Sequence, residues 1–120
     1  MKILAVDDSP TLLEILVSTL VEAGHDVLEA GDGSEAMKVL AADEVEMIIS
    51  DLHMAVMSGF ELLHKVRQSQ VHQGTPFVFL TTECDDELKR AARHAGATAW
   101  IVKPFDPVSL VQLVQRLGPA

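Results

Sequence analysis

Four positions in this chain place a polar, reactive side chain at the end of an apolar run. They are Asp7-Asp8 after Ile3-Leu4-Ala5-Val6, Asp51 after Ile48-Ile49-Ser50, Thr81 after Phe77-Val78-Phe79-Leu80, and Lys103 after Trp100-Ile101-Val102. Carboxylates repel by roughly 1 to 4 kcal/mol per pair at about 4 Å, depending on the effective dielectric, so three brought together call for a cation. Oxygen ligands without thiolate select a hard ion, and few protein ligands with room for water favour magnesium over calcium. A lysine beside such a cluster is an ion-pair partner or, as a point charge, a partner for a phosphate oxygen. Thr81 adds a hydroxyl donor. Metal, ammonium and hydroxyl together neutralise the equatorial oxygens of a phosphoryl group in transit, and a carboxylate such as Asp51 is an established type of phosphoryl acceptor. Any one of the aspartates reads equally well as a loop cap; the set together carries the chemical reading.

Whether these residues meet depends on the elements that hold them. Residues 2–6 form an unbroken apolar run ending in acid, the pattern of a strand buried on both faces of a parallel sheet. Ser9-Pro10 then offers a cap and a first-turn proline, Leu13, Leu16, Val17, Leu20 and Val21 recur at helical spacing, and Gly24 stops the helix. The cycle returns with a short, more polar strand over Asp26 to Ala30, suited to a sheet edge, a Gly31-Asp32-Gly33 turn, and a helix capped by Ser34 that carries Ala36, Met37, Val39 and Leu40. A third strand is expected over Glu46 to Asp51, with a long loop to Ser58-Gly59 and a helix marked by Phe60, Leu62, Leu63 and Val66. Residues 68–75 read as polar connection. The fourth strand ends at Thr81 and is followed by a charged helix from about Asp85 to His94, closed by Gly96. Thr98 to Val102 gives the fifth strand, and Asp106-Pro107 caps a last helix with Leu110, Val111, Val114 and Leu117 inward.

Five strand-helix cycles with right-handed crossovers imply an α/β fold, an open doubly wound parallel sheet with helices on both faces. A closed barrel would need eight such cycles. Ligands of an open sheet sit beyond the carboxyl ends of the strands, where strand order reverses, and all four reactive positions fall on that edge.

With 120 residues, 48% of them hydrophobic, the chain is expected to form one domain over 1–120 whose core needs neither metal nor disulfide. The single cysteine, Cys84, excludes an internal disulfide and fits a reducing cytosol. The first apolar run is too short for a signal peptide or a membrane span, so a cytoplasmic protein without membrane insertion is expected. Eighteen acidic against nine basic residues give a net charge of −9, which argues against nonspecific contact with nucleic acid. No DNA-binding segment follows Leu117, so output through protein contacts is expected, from a monomer.

In these motifs, taken in order over essentially its whole length, the chain resembles the receiver domain of bacterial two-component response regulators, especially the stand-alone chemotaxis type. The resemblance implies a flavodoxin-like sheet of order 2-1-3-4-5 with five helices. It implies Asp51 as phosphoacceptor, Asp8 as a direct and Asp7 as a water-mediated Mg2+ ligand, and the His53 backbone carbonyl as a further metal contact. Thr81 becomes the switch hydroxyl, Lys103 the phosphate-binding lysine, Pro104 a cis proline, and Trp100 the switch aromatic. Most receivers carry tyrosine or phenylalanine at that last position. Other departures are Ala55 in place of the usual proline, Ser58 where aspartate is frequent, and Thr82 in place of a smaller alanine.

The implied partners are a sensor histidine kinase or histidine phosphotransfer protein as donor and a downstream protein target. His53 and Glu83 flank the expected water path to an acyl phosphate and are candidates for setting its lifetime. Lys89, Arg90, Arg93 and His94 form a basic cluster on an otherwise acidic chain, suited to an acidic partner or simply to solvent. A phosphorelay intermediate and an unphosphorylated adaptor share the same residues. An aspartate-nucleophile phosphatase would show a second aspartate two positions after Asp51, where His53 stands, and a flavin module would not place Asp7-Asp8 where its phosphate must lie.

Overall fold

The computed structural model describes residues 1–119; Ala120, the last residue of the domain expected over 1–120, lies outside them. Five strands alternate with five helices: β1 (Lys2–Val6), α1 (Pro10–Glu22), β2 (Asp26–Ala30), α2 (Gly33–Ala42), β3 (Met47–Ser50), α3 (Gly59–Gln68), β4 (Phe77–Thr81), α4 (Asp86–Ala95), β5 (Ala99–Val102) and α5 (Pro107–Leu117). All strand pairs are parallel, in the order β2-β1-β3-β4-β5, so strand order reverses between β1 and β3 as expected. β1, β3 and β4 are buried and apolar but for Lys2 at the start of β1, Ser50 at the end of β3 and Thr81 at the end of β4, because helices cover both their faces. One core layer gathers Leu4, Val6, Ile48, Leu62, Leu63, Val66, Phe77 and Phe79 under α2, α3 and α4. The other gathers Ile3, Ala5, Leu16, Leu20, Ile49, Val78, Leu110 and Val114 under α1 and α5.

Local signals explain most helix ends. Ser9 and Asp106 each precede a proline and accept a helical N–H, Ser58 caps α3, and Asp85 caps α4, which ends at Gly96 in the left-handed region at φ 105°. Several expectations shift. Asp32, not Ser34, caps α2 through its bond to the Glu35 N–H, because Gly33 already enters the helix. β3 and β5 are shorter than expected at their ends, and α4 runs one residue later, with Asp85 as its cap. Val21 is 51% exposed, since the stripe of Leu13, Leu16 and Leu20 already fills the face of α1 that meets the sheet. The polar stretch after α3 hides a buried histidine, His72. Among the described residues no helix is long and apolar enough to cross a membrane.

Candidate phosphoacceptor site

Because β1, β3, β4 and β5 run parallel in register, the residues following them arrive together. Asp7, Asp8 and Asp51 each offer a carboxylate oxygen within 4.8 Å of the others. Asp7 is buried, Asp51 is half-buried, and Asp8 faces solvent. Each of the two inner carboxylates commits one oxygen to its own loop. Asp7 Oδ1 accepts from the Ser9 N–H at 2.9 Å, and Asp51 Oδ1 from the Leu52 N–H at 2.7 Å. Their other oxygens turn to Lys103, whose Nζ lies 2.7 Å from Asp7 Oδ2 and 3.2 Å from Asp51 Oδ2. Its stem passes an apolar pocket lined by Leu12, Ile15, Leu80 and Phe105, leaving the ammonium nearly buried. Burial pulls the Lys103 pKa down, but the hydrogen bond to Asp7 and the negative charges of Asp51 and Asp7 outweigh it, and the net result lies above the ordinary lysine value.

Three carboxylates against one ammonium leave two net negative charges, the charge of one divalent cation. The donors are all oxygen, and the exposed Asp8 leaves room for water, so the residues present fit magnesium.

Thr81 is fully buried at the end of β4, with Oγ1 accepting from the Glu83 N–H at 3.3 Å, and its carbonyl accepts from the Lys103 N–H at 2.8 Å. The Lys103-Pro104 peptide is cis, as the resemblance implied. Three of the expected residues converge on the Glu83 backbone and side chain. Trp100 Nε1 donates to the Glu83 carbonyl at 2.9 Å, and His53 Nε2 lies 3.0 Å from Glu83 Oε1. The indole packs beside Phe79 with ring centroids 5.5 Å apart. Sequence reading placed Glu83 beside the expected water path but did not show it as the joint between the Thr81 hydroxyl, the Trp100 indole and His53. The His53–Glu83 pair is largely exposed, so it contributes on the order of 0–1 kcal/mol.

Lys89, Arg90, Arg93 and His94 do not join this site. They lie on α4, where Lys89 and Arg93 line a cleft with Trp100 at β5. Two residues of the site went unnoticed in the sequence. The Ser50 hydroxyl, fully buried, donates to the Asp51 carbonyl at 2.8 Å. At Gly59 a Cβ would run into that same carbonyl oxygen and come within 2.7 Å of the Phe79 ring. The glycine after Ser58 was the available signal for such a close approach.

An acid cluster with a bridging lysine at the switch point of a 2-1-3-4-5 sheet defines a flavodoxin-like domain built around a carboxylate pocket. The model of the response regulator receiver domain matches residues 3–115, and the chain belongs to that family, the receivers of two-component signalling. It is 41% identical over 117 residues to a chemotaxis protein CheY homolog of Campylobacter jejuni, covering 96% of this chain and 90% of that protein. It is 38% identical to chemotaxis protein CheY1 of Helicobacter pylori, covering 96% and 94% of the two chains. Chemotaxis protein CheY4 of Vibrio cholerae has a similar structure, with a TM-score of 0.93 at 42% identity over 97% of each chain.

Proposed function

We propose that the chain is one receiver domain over 1–120 that accepts a phosphoryl group on Asp51 from the phosphohistidine of a sensor kinase or a histidine phosphotransfer protein, and changes its partner-binding surface in response. The observation that carries this reading is the Lys103 ammonium bonded to Asp51 inside a three-carboxylate cluster. A carboxylate oxygen of Asp51 attacks phosphorus as the P–N bond breaks, and the bonding pair returns to the imidazole nitrogen. Lys103 meets the phosphoryl charge, and the Thr81 hydroxyl donates to it once released from the Glu83 N–H. Bound Mg2+ supplies further charge neutralisation at the phosphoryl oxygens; Asp7, Asp8, Asp51 and the His53 carbonyl are the residues proposed to hold it. Water later attacks phosphorus, the P–O bond to Asp51 breaks, and phosphate leaves with the carboxylate restored. The side chains of His53 and Glu83, paired across the mouth, set how readily that water enters.

Thr81 movement shifts Glu83, and with it the indole of Trp100 and the start of α4, a two-state element of the kind such switches use. The basic cluster of Lys89, Arg90, Arg93 and His94 on α4 is the face offered to an acidic protein target. The CheY likeness supports a chemotaxis-type output, and the net charge of −9 favours protein contacts over nucleic acid for the cytoplasmic monomer proposed here.

The test adds magnesium with beryllofluoride or a small phosphodonor while the fluorescence of Trp100 is followed, with Asp51→Asn as control. A fluorescence change and a covalent phosphate, both lost in Asp51→Asn, are expected. Absence of covalent phosphate would leave an adaptor, steady hydrolysis of unrelated phosphate esters a phosphatase, and passage of the phosphate to a second histidine protein a relay intermediate.

A further inference from the structure

β3 reads Met-Ile-Ile-Ser, all four residues buried, and its last position pairs with Val6 on β1 and Phe79 on β4. A hydroxyl in that apolar setting is unfavourable unless it is bonded. Ser50 Oγ finds its partner in the carbonyl of the very next residue, Asp51, at 2.8 Å. That carbonyl belongs to the rigid, planar peptide unit whose other end is the Leu52 N–H. The Leu52 N–H in turn donates to Asp51 Oδ1 at 2.7 Å. One plane is therefore gripped at its oxygen by Ser50 and grips the carboxylate with its hydrogen. Around it, Gly59 lies so near the carbonyl that a Cβ would collide with its oxygen, the Gly59 N–H holds the Leu52 carbonyl at 2.8 Å, and the Asp51 N–H is held by the Val6 carbonyl. Ser50 is the only side chain in this set that donates to the plane.

We propose that Ser50 is a positioning residue for phosphoryl transfer: it sets the tilt of the Asp51–Leu52 peptide and thereby the direction in which the Asp51 carboxylate presents Oδ2, the oxygen beside Lys103. This rests on the reading of Asp51 as phosphoacceptor. Oδ1 is tied down by the Leu52 N–H, so Oδ2, beside Lys103, is the oxygen left to the phosphorus. Without the hydroxyl the peptide can tilt, the N–H to Oδ1 bond lengthens, and the carboxylate turns about its last torsion.

Two readouts test this on the full chain. In metal-free protein, the Leu52 amide proton resonates downfield because of its short bond to a carboxylate. In Ser50→Ala it moves upfield while amides of β1 and β4 stay in place, and in Ser50→Thr, which keeps the hydroxyl, it returns. With saturating magnesium, the rate constant for phosphorylation of Asp51 by acetyl phosphate drops about tenfold in Ser50→Ala and recovers in Ser50→Thr, a loss in keeping with a misoriented nucleophile. An unshifted Leu52 amide, or Ser50→Ala phosphorylated at the wild-type rate, overturns the proposal. If Ser50→Ala does not fold, Ser50→Cys, similar in size with a weak donor, is measured by the same two readouts. Should the wild-type chain itself take no phosphate, the reading of Asp51 fails, and the Leu52 amide still decides whether Ser50 orients the carboxylate.

Discussion

Replacing Lys103 with methionine removes the ammonium while leaving an apolar stem for the pocket of Leu12, Ile15 and Phe105. Nζ contacts Asp7 Oδ2 at 2.7 Å and Asp51 Oδ2 at 3.2 Å, and Asp7 is only 3% exposed. Removing one partner of a buried pair costs about 3–5 kcal/mol in general. The Asp51 side chain keeps 13% of its surface and Asp8 opens the cluster to water, so the loss here is about 2–3 kcal/mol. Folding raises the Lys103 pKa above 10.5, the ordinary lysine value. Its contribution is therefore complete below that unfolded-state value and is lost as pH rises through the higher folded one. The gap between wild type and Lys103→Met should be flat from neutral pH to about pH 10 and close above it. Urea unfolding followed by Trp100 fluorescence, in chelator, measures the gap. Magnesium binding only to folded protein adds about 2.7 kcal/mol at a hundred times its dissociation constant, and at subsaturating metal it should narrow the gap, because the uncompensated carboxylates bind it more tightly. A gap below about 0.5 kcal/mol in chelator, the range of ordinary surface changes, would refute the reasoning, as would one undiminished at the alkaline end.

Gly59→Ala forces its Cβ against the Asp51 carbonyl and the Phe79 ring, and backbone cannot yield as a side chain does, so urea titration should show a loss of about 2–3 kcal/mol. Val56, in the loop after Asp51, is a β-branched residue held at φ 69° with 82% of its surface exposed. Val56→Asn, which tolerates that conformation, is expected to raise stability by about 0.5–1 kcal/mol, read from a higher urea midpoint, and a decrease would mean that the valine side chain makes a contact worth more than the strain. Buried His72 accepts the Val45 N–H at Nε2, and burial, opposed only in part by Glu44, lowers its pKa from 6.5. Its contribution is complete above that unfolded-state value and is lost as pH falls through the lowered folded one, so stability measured from pH 7.5 down to about pH 5 should decline less steeply in His72→Gln.

Unbroken apolar runs made the central strands legible, and the rule that parallel strands share one carboxyl edge turned the ends of three strands into the pocket of Asp7, Asp8, Asp51 and Lys103. Residue type alone does not choose a cap where two capping residues compete: Asp32 and Ser34 straddle a glycine, and the chain's entry into the helix selects Asp32. The α1 stripe was overextended because Val21 continues the helical period past the area the sheet can cover. What escaped the sequence shares one cause. Glu83 is joined to Trp100 through a main-chain carbonyl, Ser50 acts on the Asp51 carbonyl, Gly59 matters by what it lets approach, and His72 by the N–H it accepts. Residue types announce charge and apolarity, whereas these roles depend on where peptide groups of distant residues point. The groups that gather in the pocket were therefore readable and their aim was not. That division has a consequence for the chemistry: Asp7, Asp51 and Lys103 are short of freedom, each held by a backbone N–H or by one another, so differences in phosphorylation rate between chains that share these residues should arise in the peptide frame that orients Asp51.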